Sequence, residues 1–199
     1  MEEPAEDPGA GDIVVFDKSR SSRASTNIYN NDRYVREIRF VTDSGWNLYH
    51  NHFSLHLNNP APGENAHFVQ DDTGGITLNS DVSLDDDTVF TGPGTGSVTV
   101  FGRLIEQATH GLRQGLYGPG GLIKQGDYTL VLKNYASYQG ATQINQGTLQ
   151  FDAESKAPNP GFSAGDPGTW YWVDATLGPV HVNDGGTLWI LGFKTEHEG

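Results

Sequence analysis

The chain has 199 residues, with 26 glycines, 10 prolines, a hydrophobic fraction of 35% and 9 Phe, 8 Tyr and 4 Trp; this suits one domain or a short repeat array with a thin core, and the aromatics argue against disorder. Lys and Arg total 12 against 25 Asp and Glu, a net charge of −13, which disfavours nucleic acid and anionic lipid as partners. The absence of cysteine excludes disulfides, thiolate metal sites and cysteine nucleophiles, and no run of about 18 apolar residues offers a membrane-spanning helix.

The first ten residues are acidic and carry no apolar segment, so they read as a flexible lead rather than a signal peptide. From residue 11 the chain becomes a series of short strand-like runs bounded by turn residues. In order they are DIVVFD, REIRFVTD, FSLHLNN, GGITLNS, DTVF, GSVTVFG, YTLVLKN, TQIN, GTLQFD, PVHVNDG and GTLWILG. Gly102 to Gly118 is the best helix candidate, and Gly111 and Gly115 break it. Eleven strand-like runs without intervening helices predict an all-β protein.

Within the runs the period is two. Leu130 and Leu132 share a face opposite Val131 and Lys133, and Leu149 and Phe151 share one opposite Thr148 and Gln150. Tyr138, Gly140, Thr142 and Ile144 share a face if that strand is continuous. Asp184-Gly185 fits a two-residue hairpin turn and Gln146-Gly147 fits one less well, whereas the other turns read as bends in a continuing coil. An internal echo points the same way: INQGTLQF, from Ile144 to Phe151, returns as VNDGGTLWI, from Val182 to Ile190. Self-similarity around glycine turns predicts a solenoid, whose coils bury their inner faces only by stacking.

Gly120 to Phe151 resembles the passenger-associated repeat of bacterial autotransporters. Gly118, Gly120, Gly121, Leu122, Lys124, Gly126, Thr129, Leu130 and Leu132 fit the first part of that motif. Tyr138, Gly140, Thr142 and Ile144 fit the second, and Gly147, Thr148, Leu149 and Phe151 close it. Tyr128 stands where the motif has glycine, and Ala136-Ser137 replaces Asn-Thr. The resemblance implies a right-handed parallel β-helix over 11–199, with the repeat at 118–151, an inserted loop at 153–174 and a final coil at 180–192. It also implies export to a bacterial surface, outer-membrane-associated in the parent protein, where related passengers serve as adhesins, aggregation factors and toxins. The membrane barrel that ends a complete autotransporter is not in this sequence, so the chain reads as a fragment or a free-standing secreted piece.

Candidate sites are few. On one straight strand His50, His52 and His56 would share a face and a zinc or nickel ion; Trp46, Leu48, Phe53 and Leu55 instead predict two strands with a corner near His50-Asn51. Asp85, Asp86 and Asp87, with Asp71 and Asp72, are dense enough for calcium but lack its regular loop spacing. No cofactor is therefore expected, with calcium or zinc as the alternatives. Ser163 lies in GFSAG between proline-rich segments, so a nucleophile elbow is not expected, and GPGTG at 92–96 lacks the Lys-Ser/Thr of a phosphate loop. Trp170, Tyr171 and Trp172 in the predicted insertion, with Trp189, which alternates outward with Leu191 near the end, are the expected contacts for a glycan or protein partner.

These readings predict a non-catalytic surface or adhesion module that contacts a cell-surface glycan or protein, or associates with itself through the terminal coil. A structural spacer is the alternative. A polysaccharide-active enzyme is a third, which needs carboxylates apposed to a basic residue; Arg33, Arg36 and Arg39 are the hint for it.

Overall fold

The computed structural model describes residues 9–17, 25–28, 32–41, 45–101, 116–133, 136–152 and 179–191. These form seventeen strands and no helix: β1 (Ile13–Phe16), β2 (Ser25–Ile28), β3 (Arg33–Val35), β4 (Glu37–Phe40), β5 (Trp46–Leu57), β6 (Ala66–Gln70), β7 (Ile76–Leu84), β8 (Thr88–Thr91), β9 (Val98–Phe101), β10 (Leu116–Gly118), β11 (Leu122–Lys124), β12 (Thr129–Lys133), β13 (Ala136–Tyr138), β14 (Thr142–Ile144), β15 (Gly147–Asp152), β16 (Val180–Val182) and β17 (Gly186–Leu191). The all-β expectation holds among the described residues. Of the helix candidate, residues 102–115 lie outside them, and Leu116–Gly118 is a strand.

Every strand pair is parallel. One sheet has the order β1-β4-β6-β8-β11-β14-β16, and the remaining strands form a second sheet. Register divides the second sheet into two columns. In one column β2, the first half of β5, the first half of β7, β9, β12, β15 and β17 stack in that order. In the other, β3, the second halves of β5 and β7, β10 and β13 stack likewise. The chain thus visits the first sheet, then one column, then the other, and repeats. Within the repeat, Leu122 pairs with Thr142 and Thr129 with Thr148, steps of twenty and nineteen residues.

Alternation explains the core. Inward rows run along the stack: Trp46, Ile76, Val98, Leu130, Leu149 and Leu188 in one, and Val14, Ile38, Phe68, Phe90, Lys124, Ile144 and Val182 in another. Rings continue from level to level, with Phe16 stacked on Phe40 at 4.8 Å and Phe68 on Phe90 at 5.2 Å between centroids. A three-residue strand cannot persist alone; here β10, β11 and β14 gain ladder hydrogen bonds from the levels on both sides, and β3, β13 and β16 from the level on one side.

The echo noted in the sequence is this stacking made visible. Ile144 pairs with Val182, and Gly147 to Asp152 pair one for one with Gly186 to Leu191. The additional residue of the second copy is taken up at Gly185, which has a φ of 92°.

Two local alternatives are decided. Asp184-Gly185 closes no hairpin: it joins β16 to β17, which lie in different sheets and run parallel to their neighbours. Glycine is needed at such corners because consecutive levels approach closely; Gly147 has a φ of 71°, and a Cβ there would stand 2.2 Å from the Gly126 carbonyl oxygen. Nor do Tyr138 and Ile144 share one strand. Tyr138 ends β13 in the second sheet, and Thr142 begins β14 in the first. Gly140 sits in the corner between them, and all three side chains of Tyr138, Thr142 and Ile144 nonetheless turn into the core. The Tyr138 and Thr142 hydroxyls meet there at 2.6 Å.

Phe68 is fully buried between Phe40 and Phe90. Phe68→Ala is expected to lower unfolding free energy by about 3–5 kcal/mol, whereas Gln143→Ala, on an exposed outward position, changes it by less than about 0.5 kcal/mol. Denaturant unfolding measures both, and equal effects would contradict the assignment of inward and outward rows.

Candidate functional site

The outer face of the second column carries a connected set of polar and aromatic side chains. The alternation in SLHL and DVSLD sends Leu55, Leu57, Val82 and Leu84 inward, which turns Ser54, His56, Asp81, Ser83 and Asp85 the other way. Register then lines up Tyr34, His56, Ser83 and Tyr117 in one outward row.

His56 is the centre of this set. Its Nδ1 lies 2.9 Å from Asp85 Oδ2, and the Ser83 hydroxyl donates to Asp85 Oδ1 at 2.5 Å. Its Nε2 lies 4.0 Å from Asp32 Oδ2, while Asp32 Oδ1 accepts from the Ser54 backbone N–H at 2.8 Å. The Tyr34 ring stacks on the imidazole with centroids 4.3 Å apart and planes 23° apart. Behind these, burial raises the Tyr117 phenol above its ordinary pKa; hydrogen bonds with Ser54 and Ser83 oppose the rise, and the Asp81 and Asp32 carboxylates add to it. The neutral hydroxyl therefore persists across the physiological range as a link between Ser54 and Ser83.

The sequence singled out His56 as one of three histidines. Of that set, His56 is the one whose side chain is described. Register between β5 and β7 shifts between Tyr49 and Ser54, close to the predicted corner, and the side chains of His50 and His52 lie outside the described residues. Among the described residues no group of three or more His, Asp or Glu side chains is placed to hold a metal ion. The aspartates serve separate corners: Asp86 Oδ2 accepts from the Asn59 N–H at 2.8 Å, Asp87 Oδ1 from Gly121 N–H at 2.7 Å and the buried Asp72 from Gly74 N–H at 2.7 Å. Residues 92–96 form the corner between β8 and β9, with the Gly94 N–H on the Gln70 carbonyl at 2.8 Å.

The arginines are not gathered either. Arg39 in β4 is 2.9 Å from Glu37 and 3.7 Å from Asp71, Arg33 belongs to β3, and Arg36 lies exposed between the two strands. Trp189 is exposed and Leu191 half-buried, both on the outward side of β17. Ser163, Trp170, Tyr171, Trp172 and the rest of 153–174 lie outside the described residues.

One group to which the sequence reading gave no role beyond the motif is in the core. Lys124 is fully buried in the inward row between Phe90 and Ile144. Its ammonium donates to the Gly126 carbonyl and, at 3.4 Å, to that of Gln146, and it sits 3.8 Å above the centre of the Tyr128 ring. Tyr128, which replaces the glycine of the motif, is itself buried and supplies that ring. Burial holds the Lys124 amine down at about 8, with the Asp127 carboxylate pulling the other way. A cation over an aromatic face, with carbonyls as acceptors, is the arrangement that makes such burial tolerable. The signal available in the sequence was the even spacing of Leu122 and Lys124 on one three-residue strand.

The passenger-associated-transport-repeat family matches residues 122–151. The matched segment runs from β11 to β15, and its own strands pair with each other, β11 with β14 and β12 with β15. No curated protein and no solved structure matches the chain.

The depressed Lys124 value has a definite consequence. Below about pH 8 the amine is charged in both folded and unfolded chains, and its burial cost is present in full. Between there and the unfolded value of about 10.4, the unfolded chain binds more protons, so this group's contribution to stability improves as pH rises. The stability of the native chain relative to Lys124→Met is expected to increase by up to about 1.4 kcal/mol per pH unit across that window. Denaturant unfolding of both proteins from pH 7 to 10.5 tests it; a pH-independent difference would place the amine in water.

Proposed function

We propose that the chain is a right-handed parallel β-helix serving as a non-catalytic passenger module, displayed at or released from a bacterial surface, where its rigid stack presents outward side chains and loops to a cell-surface partner. The observation that carries this reading is the coincidence of the matched repeat with a self-pairing structural unit. The repeat is not a short motif in an unrelated fold: it spans one full circuit through both sheets, and the flanking levels continue its columns in the same direction. Connections between parallel strands of one sheet, as from β11 to β14 by way of the second sheet, are right-handed in nearly all proteins, which supports the hand proposed here.

The chemistry of the stack suits a scaffold. Its inward rows are filled mostly by aliphatic and aromatic side chains, with the buried polar groups such as Lys124 and Gln70 satisfied inside the stack. The net charge of −13 favours solubility and mutual repulsion of neighbouring copies on a crowded surface. The strands that precede and follow residues 102–115 and 153–178 in the chain pair in register with their neighbouring levels, so extra chain between strands is compatible with the core.

Display is tested on intact producing cells. Brief treatment with a protease too large to enter them, followed by immunodetection with antibody raised against this chain, is expected to remove the antigen while a cytoplasmic marker survives. Protection of the antigen until the cells are lysed, with none in the medium, would contradict the reading.

A further inference from the structure

We propose that Asp32, Tyr34 and His56, on the outer face of the second column, form a subsite for a neutral glycan; this deepens the reading of the chain as a surface contact module and names the ligand class and the residues. Three features lead to it. The first is a spacing. His56 Nε2 and Asp32 Oδ2 stand 4.0 Å apart, too far to hydrogen-bond to each other, yet close enough for one hydroxyl oxygen to lie at about 2.8 Å from both. Each atom is left for that purpose by the rest of the network. Asp32 commits Oδ1 to the Ser54 N–H, and His56 commits Nδ1 to Asp85. The imidazole is held further by Ser83 behind Asp85, so its orientation is fixed before any ligand arrives.

The second is an aromatic platform. Tyr34 rests one face on the His56 ring and is 42% exposed. A ring already pinned from beneath loses little rotamer freedom when a sugar covers its other side. An apolar face beside hydrogen-bonding groups matches the two kinds of surface that a pyranose presents, its C–H face and its hydroxyl rim. Asp32 and Tyr34 are two residues apart at the start of β3, and the register places His56 directly beside Tyr34 on β5.

The third is charge. Among the described residues, the carboxylates of Asp32 and Asp85 flank the imidazole of His56, on a chain of net charge −13. Acceptor-rich surroundings suit a ligand that donates hydroxyl hydrogens and repel uronates and sulfated chains. Asp32 is the carboxylate within ligand reach, with 47% of its side chain exposed against 21% for Asp85.

The test is calorimetric titration of the full chain with cellopentaose, maltopentaose and N-acetylchitopentaose as neutral probes, pentagalacturonate as an anionic one and spermine as a cation. At least one neutral pentasaccharide is expected to bind, and pentagalacturonate is not. Tyr34→Ala and Asp32→Asn are each expected to weaken that binding about tenfold, equivalent to about 1.4 kcal/mol, while Tyr34→Phe, which keeps the ring, and Gln143→Ala, on the other sheet, leave it within about twofold. Thermal unfolding of each variant separates loss of the subsite from loss of the fold, and Tyr34→Phe with Asp32→Asn keeps the test open if Tyr34→Ala does not fold. Failure of all three neutral probes, binding of spermine alone, or native affinity retained in the folded ring-deleted and carboxylate-neutralised variants would overturn the proposal. None of these outcomes bears on whether intact cells display the chain, so the two readings fail separately.

Discussion

The structure depends on in-register parallel stacking of strands too short to exist alone. A strand of three residues has little ladder to form and one or two inward side chains to bury. Its stability comes from the levels on either side, which supply hydrogen bonds along one direction and packing along the same direction. Everything else follows from that constraint. Inward rows must be apolar or internally satisfied, corners must allow close backbone approach, and side chains with chemistry to offer are driven outward. Lys124 shows how strict the demand is. A charged residue admitted to an inward row required two carbonyl acceptors and an aromatic face to sit there. Gln70 meets the same demand differently, with its amide bonded to the Gly96 carbonyl at 3.0 Å and to the Asp72 N–H at 3.1 Å.

Period two and the glycine corners were legible from residues alone, because both are local: they record which way each side chain must face and where the backbone must bend. The echo between Ile144–Phe151 and Val182–Ile190 went further and gave the level-to-level register itself. Relations between levels were not legible wherever the levels differ in sequence. Nothing about His56 in isolation indicates that Asp32 and Asp85, each more than twenty residues away, meet its two nitrogens. Spacing within one strand offers only His50 and His52 as companions, and then only if that strand is straight. The fit of Asp184-Gly185 to a hairpin turn could not decide between architectures for a related reason. The dipeptide reports a tight turn, but only the neighbouring levels decide whether the chain returns antiparallel or moves on to another sheet.

Tyr128 illustrates how a departure from a motif is absorbed. Glycine at that position would leave the space beside Lys124 unfilled. Tyrosine closes it with a ring that receives the ammonium, and its own hydroxyl is buried without a hydrogen-bond partner. The substitution exchanges corner freedom for packing and cation–π contact within the same level. The outer face is under no such constraint, and there the polar row of Tyr34, His56, Ser83 and Tyr117 crosses four levels. A scaffold of this kind separates its two tasks by side: what holds it together points inward, and what it offers to a partner points outward.

The account rests on consecutive levels lying parallel and in register, and cysteine cross-linking tests that most directly because the native chain has no cysteine. Gln143 and His181 are exposed outward partners on β14 and β16, within the Cα separation of about 4.4–6.8 Å that a disulfide spans. Gln143→Cys with His181→Cys is expected to oxidise to a single intramolecular bond in the folded chain, whereas Gln143→Cys with His67→Cys, three levels apart in the same row and so about 14 Å away, remains reduced. Closure of the distant pair, or failure of the adjacent one in a folded chain, would contradict the stacked architecture.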